Sequence, residues 1–366
     1  MSVPKWSILG TVGVPGNYGG FETLAENLVR FHSSHDFDTV LSVYCSSKAF
    51  EARPARFERA ALRYIGFDAN GPQSVLYDML SLFDAARRRT DVILLLGVSG
   101  ALALPLVRLF SRCRIITNID GIEWKRDKWA GLARLFLRWS ERAAVRWSHA
   151  VIADNTAIAD YVGDTYGQTC HVIPYGGDHA LVESPVAMPG LELPNSYALA
   201  LCRIEPENNV AIILDAFVGM PDESLVFVGN WNKSDFGRAL RARFSAVPNL
   251  YLLDSVYSPE HLRWLRDRAS AYIHGHSAGG TNPSLVEMMH FGIPVFAHGC
   301  SFNRITTEDK AAYFMNTNEL QVAIESMEDK QRREIGTFMR EIAHRRYRWD
   351  LIGNEYFRLF ETVCEE

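Results

Sequence analysis

The sequence predicts an α/β protein made of two doubly wound domains. Short runs of apolar, often β-branched residues alternate with helix-length segments, which is typical of parallel strands buried on both faces. The length of 366 residues suits two domains of ordinary size. A segment with three prolines, ESPVAMPGLELPN at 183–195, separates two sets of runs and is the best linker candidate.

The strands are expected in two groups. Those of the first group lie near Trp6–Gly10, Thr39–Cys45, Leu62–Phe67, Val92–Gly97, Arg114–Ile119, Ala150–Ala153 and His171–Tyr175. Those of the second lie near Tyr197–Leu201, Leu225–Gly229, Tyr251–Asp254, Ala271–His274 and Pro294–His298. The predicted organisation is an N-terminal domain at 1–185, a linker at 186–195, a second domain at 196–345 and a C-terminal helix at 346–366 that could pack back on the first domain. Ligands are expected at the carboxyl ends of the strands, in a cleft between two facing domains.

Composition excludes several classes of protein. The net charge of −5 disfavours a protein that binds nucleic acid mainly through phosphates. The six cysteines form no C-x-x-C pair, which argues against zinc, redox and disulfide frameworks and for a reducing compartment. The N-terminus lacks the apolar run of a signal peptide, and the most apolar stretch, 92–107, is too short to span a bilayer. We therefore expect a cytoplasmic protein without a metal, although contact with a membrane surface stays open.

A glycine-rich loop follows the first strand. Its glycines stand at positions 10, 13, 16, 19 and 20, where they allow tight turns and a close approach to a ligand. The helix that follows would point its N-terminal amides at an anion; a glycine turn without a ligand is the alternative. The loop has no G-x-G-x-x-G and contains Pro15, so an NAD(P)-dependent oxidoreductase is a disfavoured reading.

A second strand–loop–helix segment lies at 271–295. The loop carries Gly279 and Gly280, and Asn282 before Pro283 predicts the start of a short helix. Amides of Gly280, Thr281 and Ser284 could converge on a phosphate. Glu287 has two readings: with Ser284 it forms a capping box, or it accepts hydrogen bonds from a ribose.

Four motifs, in order, carry a family resemblance: GVPGNYGGFE at 13–22, DGIEWKRDKW at 120–129, RIEPENN at 203–209 and GHSAGGTNPSLVEMM at 275–289. Together they resemble bacterial rhamnosyltransferase-like glycosyltransferases of the retaining, GT-B-fold family 4. The resemblance implies a nucleotide-sugar donor in the interdomain cleft, no metal, and a growing cell-surface polysaccharide as acceptor.

The resemblance also assigns donor residues. Glu287 matches the second of two family glutamates and is implied to contact the donor's ribose, while the first falls on Gly279. The family's diphosphate-binding Arg and Lys fall on Arg203 and Asn208, so one positive charge is lost. The implied donor-binding set is Arg203, Asn208, Gly279, Gly280, Thr281, Asn282, Ser284 and Glu287, and the donor is expected to be linked to dTDP or UDP.

The catalytic candidates are Asp120 and His276. Asp120 stands at a predicted strand end, where it could serve the acceptor hydroxyl or a developing positive charge, or simply cap a turn before Gly121. His276, like His274, could be a polar site residue or a strand-end histidine. The acceptor-side loop comprises Gly16, Tyr18, Gly19, Gly20 and Glu22. Asp36-Phe-Asp38, which mimics a metal-binding D-x-D, is predicted to be a turn.

A basic, tryptophan-rich segment occupies residues 123–147. Arg134, Arg138, Arg142 and Arg146 recur every four residues and form one helical stripe. The apolar stripe consists of Leu132, Phe136, Trp139, Ala143 and Trp147. We expect the apolar stripe to pack on the sheet, with the arginines in solvent; the alternative is docking of this helix on the inner leaflet of an anionic membrane.

These observations predict a sugar transferase, with rhamnose as the expected sugar and a saccharide or polyprenyl-diphosphate-linked oligosaccharide as acceptor. A nucleotide-sugar-binding protein without turnover is the first alternative, because of Gly279 and Asn208. The oxidoreductase is the second.

Overall fold

The computed structural model describes residues 3–16, 19–119, 121–125 and 131–365. The chain divides into two compact units, which we call unit 1 (1–174 with 349–366) and unit 2 (175–348). Each unit contains a parallel β-sheet whose strands alternate in sequence with helices. The chain is therefore an α/β protein, as the sequence predicts.

The elements follow in chain order. The strands are β1 (Lys5–Leu9), β2 (Val40–Ser46), β3 (Arg56–Phe57), β4 (Ala60–Ile65), β5 (Val92–Leu96), β6 (Arg114–Ile119), β7 (Ala150–Ala153), β8 (His171–Val172), β9 (Tyr197–Leu201), β10 (Leu225–Val228), β11 (Leu250–Leu253), β12 (Ala269–His274), β13 (Val295–His298) and β14 (Ala312–Phe314). The α-helices are α1 (Gly20–Ser34), α2 (Ser74–Arg87), α3 (Leu104–Phe110), α4 (Gly131–Trp147), α5 (Thr156–Tyr166), α6 (Val210–Val218), α7 (Asp235–Phe244), α8 (Pro259–Asp267), α9 (Pro283–Met289), α10 (Ser301–Thr306), α11 (Thr317–Ser326), α12 (Asp329–Arg346) and α13 (Trp349–Glu365).

The sheet of unit 1 has the strand order β3-β4-β2-β1-β5-β6-β7-β8. All of its described pairings are parallel except that of β3 with β4. The central strand β5, VILLL, is buried at every position, as expected for a strand covered by helices on both faces. The strand order reverses between β1 and β5, so the loops after these two strands mark the switch point of this sheet.

The sheet of unit 2 has the order β11-β10-β9-β12-β13-β14 and is parallel throughout its described pairings. This is the order of a dinucleotide-binding doubly wound sheet, with the reversal between β9 and β12. A core of buried apolar side chains that includes Phe217, Phe227 and Trp231 packs against it. The loops after β9 and β12 therefore lie where such sheets bind ligands.

Every strand predicted from the apolar runs has a counterpart within a few residues. The two short strands β3 and β14 were not predicted. β3 has two residues and β14 three, which is too short to produce a recognisable run.

The chain enters unit 2 before the proline-rich segment. Residues 186–195, expected to be the linker, contain no helix or strand and lie within unit 2, which begins at Tyr175. The amide of Gly177 donates to the carbonyl of Tyr347 at 2.8 Å, and the 3₁₀ turn Asp178–Ala180 packs against α9. These contacts tie the segment after β8 to unit 2 well ahead of the prolines.

The last helix, α13, belongs to unit 1 and packs along α1. The ring of Phe357 lies 4.7 Å from that of Phe37 and 5.5 Å from those of Phe31 and Trp6, measured between centroids. Gly353 has no room for a side chain, because a Cβ there would lie 2.4 Å from the ring of Phe31. An aromatic cluster thus holds the C-terminal helix.

Helix α4 buries a different face from the one expected. The apolar stripe of Leu132 and Trp139 is exposed, and the buried residues are Ser140, Glu141, Ala144 and Val145. The carboxylate of Glu141 sets this orientation, since its Oε1 accepts hydrogen bonds listed here by donor: Tyr161 Oη at 2.6 Å, Tyr166 Oη at 2.6 Å and Trp124 Nε1 at 3.2 Å. The expectation that the apolar stripe packs on the sheet is wrong, because a buried carboxylate must face its donors.

In the described ranges, no helix is both long enough and apolar enough to cross a membrane. Asp36 and Asp38 lie in the turn between α1 and β2, as predicted.

We predict that Phe357→Ala destabilises unit 1 by about 3–5 kcal/mol, because it removes a fully buried ring from the aromatic cluster. The neighbouring exposed residue gives the control, since Arg358→Ala should change stability by less than about 0.5 kcal/mol. Urea unfolding followed by tryptophan fluorescence measures both. Equal effects of the two substitutions would show that the cluster does not hold α13.

Candidate functional site

Two sequence motifs that are about 70 residues apart meet in unit 2. RIEPENN (203–209) follows β9 and GHSAGGT (275–281) follows β12, and these strands are neighbours in the sheet. The backbone amide and hydroxyl of Ser277 donate to the carbonyl of Glu207 at 3.0 and 2.8 Å. Asn209 Nδ2 donates to the carbonyl of Gly275 at 2.8 Å. The two loops therefore form one surface at the switch point of the sheet, which we call the donor edge.

Arg203 is the cation of the donor edge. Its side chain is about one-third exposed, and its Nη1 lies 3.8 Å from Glu205 Oε1. Asn208 is 2% exposed, and its Nδ2 donates to the carbonyl of Arg203 at 2.7 Å. Asn208 thus braces the backbone of Arg203. From the buried side of this turn, Asn230 Oδ1 accepts from the amide of Ile204 at 2.7 Å.

The loop that leads into α9 is organised by Asn282. Its Oδ1 accepts from the amide of Ser284 at 3.1 Å and from the Ser284 hydroxyl at 2.8 Å, so Asn282 is the N-cap. The Ser284 amide, expected to face a phosphate, is thereby engaged by the cap. Gly279 has φ of +116°, a conformation that favours glycine. Thr281 is buried and Gly280 is half-buried.

Two histidines stack where β12 ends. The rings of His274 and His276 lie 4.5 Å apart between centroids and nearly parallel. Burial lowers the pKa of His274 to about 3, so this ring is neutral at physiological pH. His276 is half-buried, and its carbonyl accepts from Asn303 Nδ2 at 2.8 Å. Tyr272 Oη lies 3.3 Å from His274 Nδ1 and donates to Ser284 Oγ at 3.0 Å, which connects the histidines to the start of α9.

Glu287 is enclosed by two basic side chains. Its Oε2 accepts from Arg266 Nη2, and its Oε1 lies 3.2 Å from His179 Nε2. Burial by itself would raise the pKa of Glu287, but Arg266 and His179 outweigh it and hold the pKa below its usual value. Because Asn282 is the N-cap, the capping box with Ser284 does not form. A ribose that reached Glu287 would share the carboxylate with Arg266 and His179.

The glycine loop of unit 1 is held by carboxylates from α1. Glu22 Oε1 accepts from the amide of Val12 at 2.9 Å, and Glu26 Oε2 accepts from that of Gly16 at 2.7 Å. A Cβ at Gly19 would lie 2.0 Å from Glu22 Oε2, so the Glu22 carboxylate lies against the start of α1. A negative side chain at this position makes the loop less suited to a phosphate than to neutral hydroxyl groups.

The remaining unit 1 candidates divide into two groups. Asp120 and Tyr18 lie outside the described residues. Asn118, the penultimate residue of β6, is buried, and its Nδ2 donates to Tyr356 Oη at 2.6 Å. Among the residues with described positions, no group of three or more His, Cys, Asp or Glu side chains could hold a metal ion.

Several site residues carry no sequence signal of their own. His179 and Arg266 belong to segments without a motif, and only the fold brings them to Glu287. Asp78, on α2, lies against Gly100 after β5, where a Cβ would be 2.5 Å from its Cβ. Burial raises the pKa of Asp78 to about 7, so this carboxyl group titrates near neutral pH.

Comparison with known proteins supports the reading of the fold. Residues 4–178 match a family described as a domain of unknown function, DUF1972. Comparison with curated proteins by sequence finds no match.

Three solved structures resemble the whole chain. Sucrose-phosphate synthase from Thermosynechococcus elongatus has a TM-score of 0.83 at 14% identity and covers 98% of this chain and 99% of its own. HepE from Anabaena, in complex with UDP and glucose, has a TM-score of 0.74 at 17% identity and covers 98% and 100%. A glycosyltransferase from Rickettsia africae ESF-5 has a TM-score of 0.71 at 10% identity and covers 99% of both chains. The chain therefore has the GT-B fold of glycosyltransferases.

We predict that Arg266→Met destabilises unit 2 by about 3–5 kcal/mol at pH 7, because it leaves the buried Glu287 carboxylate without its main cation. The folded-state pKa of Glu287 is below 4.5, so the ion pair stabilises the fold above that pH and its contribution is lost as the pH falls below it. In the variant, Glu287 takes up a proton at pH 4, so the difference from the wild type should shrink. Urea unfolding at pH 7 and pH 4 measures both values.

The control is Arg243→Ala, which removes the exposed pair of Arg243 with Asp215 and should cost less than about 1 kcal/mol at either pH. A difference for Arg266→Met that is the same at both pH values would contradict the role assigned to the ion pair.

Proposed function

We propose that the chain is a glycosyltransferase that moves a sugar, with rhamnose as the proposed sugar, from a dTDP- or UDP-linked donor. The proposed acceptor is a saccharide or a polyprenyl-diphosphate-linked oligosaccharide in cell-surface polysaccharide synthesis. The proposed location is the cytoplasm, at the inner face of the membrane. The observation that carries the proposal is the donor edge, where Arg203 and the 275–284 loop are joined at the switch point of a doubly wound sheet.

The chemistry follows from the charges available there. Transfer breaks the bond from the sugar C1 to the diphosphate and forms a bond from C1 to an acceptor oxygen, while the acceptor hydroxyl loses its proton. The diphosphate gains negative charge as it leaves, and a preorganised cation with aimed amides stabilises that charge. Arg203 is the proposed cation and the amides of Gly280 and Thr281 the proposed donors, so this reaction is assigned no metal. Retention of the anomeric configuration is proposed from the family resemblance.

The remaining roles extend the same proposal. Glu287 is proposed to bind the ribose and Asn208 to hold Arg203 in place. His276 and Asp120 are proposed to serve the sugar and the acceptor hydroxyl. The loop of Gly16, Tyr18, Gly19, Gly20 and Glu22 is proposed to form the acceptor side, and the Glu22 carboxylate beside Gly19 supports hydroxyl recognition there.

HepE supports the choice of donor class, since its structures hold UDP with glucose and UDP-glucose. The alternative, a protein that binds a nucleotide sugar without turnover, is favoured by one observation. The position of the family's diphosphate lysine is the buried Asn208, whose amide is committed to a backbone carbonyl. Binding and turnover must therefore be measured separately.

For binding, we predict that a dTDP- or UDP-sugar at about 100 times its Kd raises the melting temperature by about 5 °C or more. Arg203→Ala should weaken binding about 10- to 100-fold, because it removes charge-assisted hydrogen bonds to the diphosphate. Arg333→Ala, an exposed arginine on α12, is the control and should leave the shift unchanged. Differential scanning fluorimetry with UDP-, dTDP- and GDP-sugars measures these shifts. An unaltered shift in Arg203→Ala would remove Arg203 from the site.

For turnover, we predict that the protein releases nucleoside diphosphate from the donor that binds, faster with a saccharide acceptor present, and that Arg203→Ala slows release at saturating donor. Coupled detection of UDP or dTDP measures the rate. Donor binding without release under any acceptor tested would support the non-catalytic alternative and contradict the proposed transferase.

A further inference from the structure

The most exposed large apolar side chains of the described chain lie on two helices of unit 1. Leu132 is 85% exposed, Phe110 80% and Leu109 73%, more than any other large apolar side chain described. They belong to a set that covers α3 with its preceding turn and α4, which we call the α3–α4 face. Its apolar members are Leu102, Leu106, Leu109, Phe110, Leu132, Leu135, Trp139 and Trp147.

The α3–α4 face is one continuous surface. Helices α3 and α4 pack against each other, and Arg108 Nη1 donates to the carbonyl of Trp147 at 3.2 Å, which fastens α3 to the C-terminal end of α4. The guanidinium of Arg146 lies 5.9 Å from the Trp147 ring centroid. Apolar patches of this kind mark interaction sites and are uncommon on surfaces that only face water.

The charge of this face opposes the charge of the whole protein. In 102–114 and 131–147 all charged residues except one are arginines. The arginines are Arg108, Arg112, Arg114, Arg134, Arg138, Arg142 and Arg146. The exception, Glu141, is 1% exposed and faces inward to its tyrosine and tryptophan donors. A chain with net charge −5 thus presents an apolar surface bordered by arginines without an exposed carboxylate from either segment.

We propose that the α3–α4 face docks on an anionic lipid bilayer, with Leu109, Phe110 and Leu132 in the acyl boundary and the arginines at the headgroups. Amphipathic helices that lie in the interface combine these features, namely a strongly apolar face, a basic polar face and tryptophan at the boundary. The membrane surface potential attracts each such arginine.

Charge also argues against a second copy of the chain as the occupant. A symmetric dimer through this face would bring the two arginine stripes together, and like charges across an interface oppose association. An anionic headgroup layer meets the same arginines with opposite charge.

The docking surface goes beyond the proposed function, and its test needs no sugar nucleotide. The full chain is mixed with sedimentable vesicles of phosphatidylcholine alone or with phosphatidylglycerol, and the bound fraction is measured after centrifugation. Binding is expected to the phosphatidylglycerol vesicles and to fall steeply from low to high salt.

Two variants separate the two contributions. Arg134→Gln/Arg142→Gln/Arg146→Gln should weaken binding about tenfold or more, given the attraction per arginine near an anionic surface; Arg138 is kept because it lies over the Trp124 ring. Leu109→Ser/Phe110→Ser/Leu132→Ser should weaken binding by a similar factor. The matched control, Val218→Ser/Met315→Ser/Val322→Ser, replaces exposed apolar residues of unit 2 and should bind like the wild type.

Three results would overturn the proposal: no sedimentation of the wild type with anionic vesicles, equal binding to neutral vesicles, or binding unchanged in both α3–α4 variants. A concentration-dependent dimer in gel filtration, abolished by the apolar variant, would assign the face to a second copy instead. A failure here leaves donor binding and turnover untouched, and a failure of those assays leaves vesicle binding intact.

Discussion

The close packing of two loops against each other, made possible by Gly275, is the constraint on which the donor edge depends. A Cβ at this position would lie 2.1 Å from the carbonyl oxygen of Asn208, so any larger residue would push the loop after β12 away from the loop after β9. With glycine there, the bonds of Ser277 to Glu207 and of Asn209 to Gly275 close over the gap. Arg203 is then held by its own loop, because the Asn208 amide pins its carbonyl. The strand order places these loops side by side, and the missing side chain allows them to touch.

The buried carboxylates of both units act on the backbone or on buried donors before they act on any ligand. Glu22 and Glu26 accept from amides of the glycine loop in unit 1, and Glu287 joins Arg266 to His179 in unit 2. A buried carboxylate without partners would be costly, so each needs these contacts whether or not a ligand is bound. The same contacts fix the loops in one conformation, which lowers the entropy that a ligand must overcome on binding. A ligand that reached Glu287 would therefore meet an oriented carboxylate.

The fold could be predicted from the sequence to a greater degree than the site. Strands such as β5 are continuous apolar runs, so their existence and their bounds are local information. The loops at 203–209 and 275–282 were also recognisable, because glycine, proline and N-cap residues reflect local backbone requirements. The partners of Glu287 were not, since His179 and Arg266 reach it only through the tertiary fold. Helix α4 shows the same limit: its periodicity predicts a helix, but the face that is buried is chosen by Tyr161, Tyr166 and Trp124, which lie elsewhere in the chain.

The Glu141 cluster also couples two parts of unit 1 that sequence alone treats as separate. Trp124 belongs to the segment that follows β6, the strand after which the acceptor-side carboxylate Asp120 is proposed to act. Its indole donates to Glu141, and the ammonium of Lys125 lies 4.7 Å from the Tyr161 ring centroid. The same carboxylate turns the apolar stripe of α4 outward. If α4 lies on a bilayer, this cluster holds the segment after β6 against the membrane-bound helix, so an acceptor carried on a lipid diphosphate would reach that strand end without leaving the membrane surface. A single buried carboxylate thus accounts for both the exposed apolar face and the anchoring of the acceptor-side segment.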